Sequence, residues 1–180
     1  MRVAITGAHG VGKSTLAAAI SERLGVPELP TPGRSLARLG LPVNEEASVT
    51  SQVVAWLMQF RFEREHRDWV SSRSLIDVWA YTSLAGERAA SDPVEAVLLS
   101  ELERSTRLAI EGAYEVLIYV PPVIPLVGDD VREADAAFQR SVDERITDLI
   151  KRWHLAHETV DVNDSDAVLD MFATLERRAS

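Results

Sequence analysis

TGAHGVGKSTL, Thr6 to Leu16, decides how this chain of 180 residues is read. It contains Gly-x-x-x-x-Gly-Lys-Ser, from Gly7 to Ser14, a string that arises by chance in roughly one chain in a hundred of this length. Such spacing lets backbone N–H groups curl around a phosphate. Lys13 then reaches the β and γ phosphates, and the hydroxyl of Ser14 faces a magnesium ion. Gly7, His9, Gly10, Val11, Gly12, Lys13, Ser14 and Thr15 are therefore the expected ATP-binding residues, with Ser14 the metal residue. His9 is read as a variable position whose backbone matters more than its ring.

Working outward, Val3 to Thr6 is a short apolar run, and STLAAAISERLG after Lys13 has helical spacing that stops at Gly25. VPELPTPGR is extended and proline-rich, which predicts a second strand leaving into a loop. Val53, Val54, Leu57 and Phe60 recur at helical steps within a helix from about Ala47 to Asp68. A brief strand at Trp69 to Ser71 precedes a helix opening at Ser74, where Ser74 and Asp77 form a capping-box pattern. Asp92, Pro93 and Glu95 open the next helix, which runs to about Gly112. YEVLIYV is the clearest strand, apolar on both faces. PPVIPLVGDD is a loop, helical spacing resumes from Asp135 to Trp153, a last strand lies at Thr159 to Val162, and Ser165 caps a terminal helix.

Strands alternating with helices imply crossovers and a parallel sheet: an α/β, three-layer P-loop NTPase fold of roughly five strands, in one domain over residues 1–180. Ligands in such sheets collect at the carboxyl ends of the strands. The phosphate loop, Thr31 to Arg34, Ser72 to Asp77, the segment after Val120, and Asn163 to Asp164 should then border one cleft.

Composition narrows the partners. Hydrophobic residues make up 46% and charged residues 26%, as in a globular protein. The absence of cysteine removes disulfides, thiolate zinc sites and thiol nucleophiles. Twenty-eight acids against nineteen Lys and Arg give a formal charge of −9, which disfavours nucleic acid and anionic lipid. The start of the chain has no export-signal pattern, and VLIYVPPVIPLV is too short and too proline-broken to span a bilayer. A cytoplasmic protein is expected. The oligomeric state is not legible.

A switch, a motor and a kinase all share this loop. The guanine-reading Asn-Lys-x-Asp and the Asp-x-x-Gly of a GTP switch are absent. A motor or AAA-type ATPase is disfavoured because YEVLIYV ends at Pro121 rather than in Asp-Glu. A small-molecule kinase needs a site closed to water and cations on a lid. PLVGDDVREADAAFQR offers Arg132 and Arg140 on such a segment, with a lid region of about 121–145. The competing reading is a solvated helix whose arginines pair with Asp129, Asp135, Asp143 and Glu144.

GAHGVGKST, PGRSLARLG, SRSLIDVWAY and PPVIPLVGDDVR…R…VD, in this order, resemble the P-loop ATPase/kinase family related to the ribosylnicotinamide kinase domain of NAD metabolism. Thymidylate and deoxynucleoside kinases are more distantly similar. The resemblance implies ATP- and magnesium-dependent transfer of a phosphoryl group to a small nucleoside- or nucleotide-like acceptor. By it, Lys13 and Ser14 hold phosphate and metal, Arg34 and Arg73 line the acceptor side, and Arg132 and Arg140 form the lid. Thr31 and Ser72 depart from the family pattern, replacing two carboxylates that order metal or take the acceptor's proton. A hydroxyl holds a metal-bound water but is a poor base.

Asp77 is the nearest remaining carboxylate, either the base or only the capping partner of Ser74. Lys13, Asp77, Arg132 and Arg140 are thus the candidate catalytic residues, and Arg34, Gln59, Arg73 and Tyr81 the candidate substrate-binding ones. Gln59 and Tyr81 are equally readable as core, and the four tryptophans are read as core. Asn163 borders the adenine or, with Asp164, caps the last helix. Two other functions stay open: a nucleotide-binding regulatory module with weak or no transfer, and a kinase of a modified base in DNA, against which the net charge argues.

Overall fold

Val3, Ala4 and Ile5 are apolar on consecutive positions, so a strand containing them must be covered on both faces. In the computed structural model they lie fully buried in β1 (Arg2–Thr6). The structure describes residues 1–42, 47–89, 93–122 and 130–179. Seven helices among them alternate with the strands: α1 (Lys13–Leu24), α2 (Pro32–Arg38), α3 (Val49–Glu65), β2 (Trp69–Ser71), α4 (Leu75–Ala89), α5 (Pro93–Ile110), β3 (Val116–Tyr119), α6 (Asp130–Arg152), β4 (Glu158–Thr159) and α7 (Ser165–Ala179). None of the described helices is long and apolar enough to cross a membrane.

Among the described residues the sheet has four strands in the order β2-β1-β3-β4, all parallel. Ala4 of β1 sits between Ser71 of β2 and Leu117 of β3. Thr6 and Tyr119 therefore finish side by side at one end, with β2 ending at Ser71, level with Ala4. α1 packs on β1 and β2 and touches α7, while α4 packs against α3, α5 and α6. The result is the three-layer α/β arrangement that the alternating pattern requires.

The strand count corrects the expectation of about five. The stretch expected as a second strand makes only an isolated bridge from Glu28 to Val70, with Leu29 N–H donating to Val70 O (2.8 Å) and Val70 N–H to Pro27 O (3.0 Å). Pro27 and Pro30 lack the N–H groups that a longer ladder needs. Beyond Thr31 the chain forms α2 rather than a loop, because Pro32 at the first helical position is preset for a helix.

Smaller boundary differences have local causes. The last strand is only Glu158–Thr159, for Asp161 turns the chain by accepting the N–H of Asn163 at 2.9 Å. Asp164, not Ser165, caps α7, its Oδ1 accepting the N–H groups of Asp166 (3.0 Å) and Ala167 (3.1 Å). The expected cap at Asp92 and the loop at 123–129 lie outside the described residues.

Candidate active site

The phosphate loop runs from the end of β1 into α1, and two glycines fix its path. Gly7 has φ +148°, and a Cβ there would come within 2.4 Å of Val120 O, so the loop lies directly against the end of β3. Gly12 caps α1 in the left-handed conformation at φ +88°, and a Cβ would meet Val162 Cγ2 at 3.2 Å. Val11 is buried beneath, whereas Gly10, Ser14 and Thr15 are exposed. The first-turn amides of α1 have no carbonyl inside the helix to bond, so they face outward at its positive end. Close contact with Val162 sets exposed Asn163 beside the start of α1.

Lys13 is 6% exposed, its ammonium donating to Gly7 O at 2.7 Å and to Ala8 O. Burial lowers its pKa to about 7, Arg73 adds to the fall, and Asp77 and Asp143 oppose it. A triphosphate beside the ammonium restores the ordinary high value, which has a measurable consequence. At pH 8 free Lys13 is about 90% neutral, so binding of fully ionised ATP with magnesium should take up close to ~1 proton, and almost none at pH 6. Calorimetric titration in two buffers of different ionisation heat checks this; no uptake at pH 8 counts against the Lys13 contact.

Asp77 joins three parts of the site. It is fully buried, and Oδ2 accepts from Ser74 N–H (2.8 Å) and Ser74 Oγ (2.6 Å) while Ser74 Oγ accepts from Asp77 N–H (3.2 Å). That is a complete capping box. Oδ1 accepts the N–H of Gly7 at 3.1 Å and faces Arg73 Nη1 at 3.8 Å. One carboxylate thus braces the phosphate loop, the start of α4 and a cation.

On the far side of Asp77 opens a pocket of about 450 Å³, counting its mouth, with Asp77 and Arg73 among its polar groups and Leu36, Ala55 and Val78 among its apolar ones. Tyr81 also lines it, with the Arg73 guanidinium 5.2 Å from its ring centre. Gln52, not singled out from the sequence, lines it as well, two helical turns before Gln59 on the same helix face. Gln59 lies behind the wall, fully buried, where Nε2 reaches Glu63 Oε1 (2.8 Å), Ser71 Oγ (3.3 Å) and Arg73 O (3.3 Å). Arg34 sits exposed on α2 and does not line the pocket. Arg140 is exposed on α6, and the side chain of Arg132 lies outside the described residues. Asp143, weighed above as an arginine partner, accepts from Tyr119 Oη at 2.9 Å.

Glu63 was missed in the sequence. It is 6% exposed, and besides Gln59 it accepts from Tyr114 Oη at 3.1 Å. Burial raises its pKa from 4.5 to about 7, with the bonds from Gln59 and Tyr114 and the charge of Arg64 opposing and Asp77 adding. The folded chain therefore binds a proton more tightly here than the unfolded one. Stability should fall as pH rises from 4.5 to 7, by on the order of 3 kcal/mol in total from this group. Urea unfolding of Glu63→Gln should lose that part of the slope; an unchanged profile would place the ionisable group elsewhere.

A family model described as an AAA domain matches residues 2–167. The chain belongs to this AAA domain family. The match agrees with the P-loop ATPase/kinase family that the motifs resemble, and β3 runs into Val120 and Pro121 with no Asp-Glu, the ending on which the motor reading was disfavoured. No curated protein matches the sequence. Among solved structures, this AAA domain superimposes on NadR in complex with NAD and AMP-PNP, with a TM-score of 0.73 and 12% identity over 98% of this chain and 48% of that one. Deoxyadenosine kinase from M. mycoides with bound dATP gives 0.64 at 15% identity, over 98% and 100%. Thymidylate kinase from Ehrlichia chaffeensis gives 0.62 at 15%, over 100% and 98%. These likenesses show a P-loop kinase-like fold, and the chain spans about half the length of the NadR chains.

The residues fit a nucleotide: Gly10 and Gly12 turn the loop with left-handed φ values, and the buried Lys13 ammonium is held among its carbonyls at Gly7 and Ala8. Among the described residues no cluster of His, Cys, Asp or Glu could hold a metal alone. Magnesium would be held by the exposed Ser14 hydroxyl together with phosphate oxygens. Thr6 Oγ1 and Ser72 Oγ are buried without a hydrogen-bond partner at the same strand ends, free to hold metal-bound water.

Proposed function

We propose that this protein is an ATP- and magnesium-dependent kinase of a small nucleoside- or nucleotide-like acceptor. The observation that carries the reading is Asp77: the carboxylate that accepts the phosphate loop's Gly7 N–H also lines a mainly apolar pocket with Arg73. A donor phosphate and an acceptor hydroxyl would then meet across one side chain, the positioning on which phosphoryl transfer depends. Lys13 and the α1 amides hold the β and γ phosphates, and magnesium supplies charge neutralisation there. Arg73 orients the acceptor, Tyr81 and the apolar wall exclude water, and Asp77 receives the acceptor's proton. Arg132 and Arg140 bring positive charge from α6, and Asn163 borders the base of ATP.

A second reading, a nucleotide-binding regulatory module with weak or no transfer, is favoured by Thr31 and Ser72 at positions where the resembling family carries carboxylates. One experiment separates them. Nucleosides, nucleotides and ribosylnicotinamide are incubated with ATP and magnesium and screened for a phosphoryl-sized gain in mass. A product from at least one acceptor supports the kinase. Tight ATP binding with no product across the panel favours the module.

A further inference from the structure

Gly10 faces solvent, but its neighbour His9 is half-buried and turns into the protein. Its Nδ1 shares a hydrogen bond with Tyr81 Oη at 3.1 Å. Its ring stacks on Phe138 of α6, with centroids 6.0 Å apart and planes at 29°. Tyr81 closes the triangle by meeting Phe138 edge-on at 5.8 Å and 67°. The main chain is gripped as well, for Gln139 Nε2 donates to His9 O at 2.7 Å. Phe138, Gln139 and Tyr81 are each less than 9% exposed, so nothing soft lies between the loop and its neighbours.

We propose that His9 is a positioning residue that transmits occupancy of the phosphate loop to the helix carrying Arg140 and to the acceptor pocket. The inference rests on the loop being an ATP site. The carbonyls of Gly7 and Ala8, which hold the Lys13 ammonium, belong to the two peptides leading into His9. A triphosphate draws the ammonium away, those carbonyls lose their donor, and the chain at His9 shifts. His9 O carries Gln139 with it and the stacked ring carries Phe138, and Arg140 is the next residue on α6. The bond to Tyr81 leads the other way, since Tyr81 lines the pocket and has the Arg73 guanidinium 5.2 Å from its ring centre. Imidazole suits this joint because it is flat enough to stack and has a nitrogen for the tyrosine hydroxyl.

Hydrogen exchange of the full chain, with and without AMP-PNP and magnesium, tests it without knowledge of the acceptor. In the wild type, the nucleotide should slow exchange at least fivefold in residues 7–15, 78–85 and 136–146. Gln139→Leu drops only the bond to His9 O, and Phe138→Leu keeps an apolar side chain while losing the stack. Both should keep protection of 7–15, with protection of 136–146 falling below twofold. His9→Phe keeps the stack, so 136–146 should stay protected while 78–85 loses protection. Protection of 136–146 equal to wild type in both α6 variants overturns the coupling alone. A wild type with no protection anywhere, the loop included, overturns the nucleotide reading and this inference with it.

Discussion

Lys13→Ala is expected to lower ATP turnover by at least ~10³-fold while leaving the fold intact. The loss follows from removing the cation that meets charge developing on the transferred phosphoryl group, a role for which single groups are worth about 10²–10⁵ in rate. Intact folding follows from the cost of Lys13's own burial, which already lowers its pKa to about 7. Alanine leaves no ammonium to desolvate, so the melting temperature should hold or rise. Turnover within tenfold of wild type would remove Lys13 from the mechanism, and a collapse in melting temperature would assign the loss to unfolding. Measuring both on the same sample keeps the two apart.

Asp77→Ala should be the most destabilising single change in the site, by about 3–5 kcal/mol. It strips the acceptor from Gly7 N–H, Ser74 N–H and Ser74 Oγ, and leaves Arg73 without its carboxylate. Asp77→Asn keeps one oxygen and should lose about 1–2 kcal/mol in urea unfolding. The amide cannot take a proton, so its turnover should still fall about 10²-fold or more. If Asp77→Asn turns over within fivefold of wild type, Asp77 is a brace and some other group receives the proton.

The parts legible in the sequence were those written in short range. The phosphate-loop motif spans eight residues, and the Ser74–Asp77 box is an i, i+3 pattern; both are visible without knowing the fold. α2 was missed: Pro32 sits at its first helical position, but Pro27 and Pro30 before it spoke for extended chain leaving into a loop. What could not be read is what folding brings together. Gly7 and Asp77 are 70 residues apart, Glu63 and Tyr114 are 51 apart, and Gln139 reaches back 130 residues to His9. No periodicity marks such pairs. His9 shows the limit plainly: as a letter it is filler between glycines, and only the approach of α4 and α6 gives its ring neighbours.

The two-bond bridge at Glu28 also bears on substrate choice. α2, which supplies Pro32, Gly33 and Leu36 to the pocket, follows directly from a segment whose backbone bonds to the sheet, among the described residues, are those of Leu29 N–H and Pro27 O. With two backbone ties, and with Leu29 and Leu36 anchoring it by side-chain packing, such a segment opens at lower free energy than the hydrogen-bonded sheet. That flank should breathe while the Asp77 side stays fixed, so the enzyme would tolerate variation in the bulk of what enters and discriminate strictly on where a hydroxyl is presented.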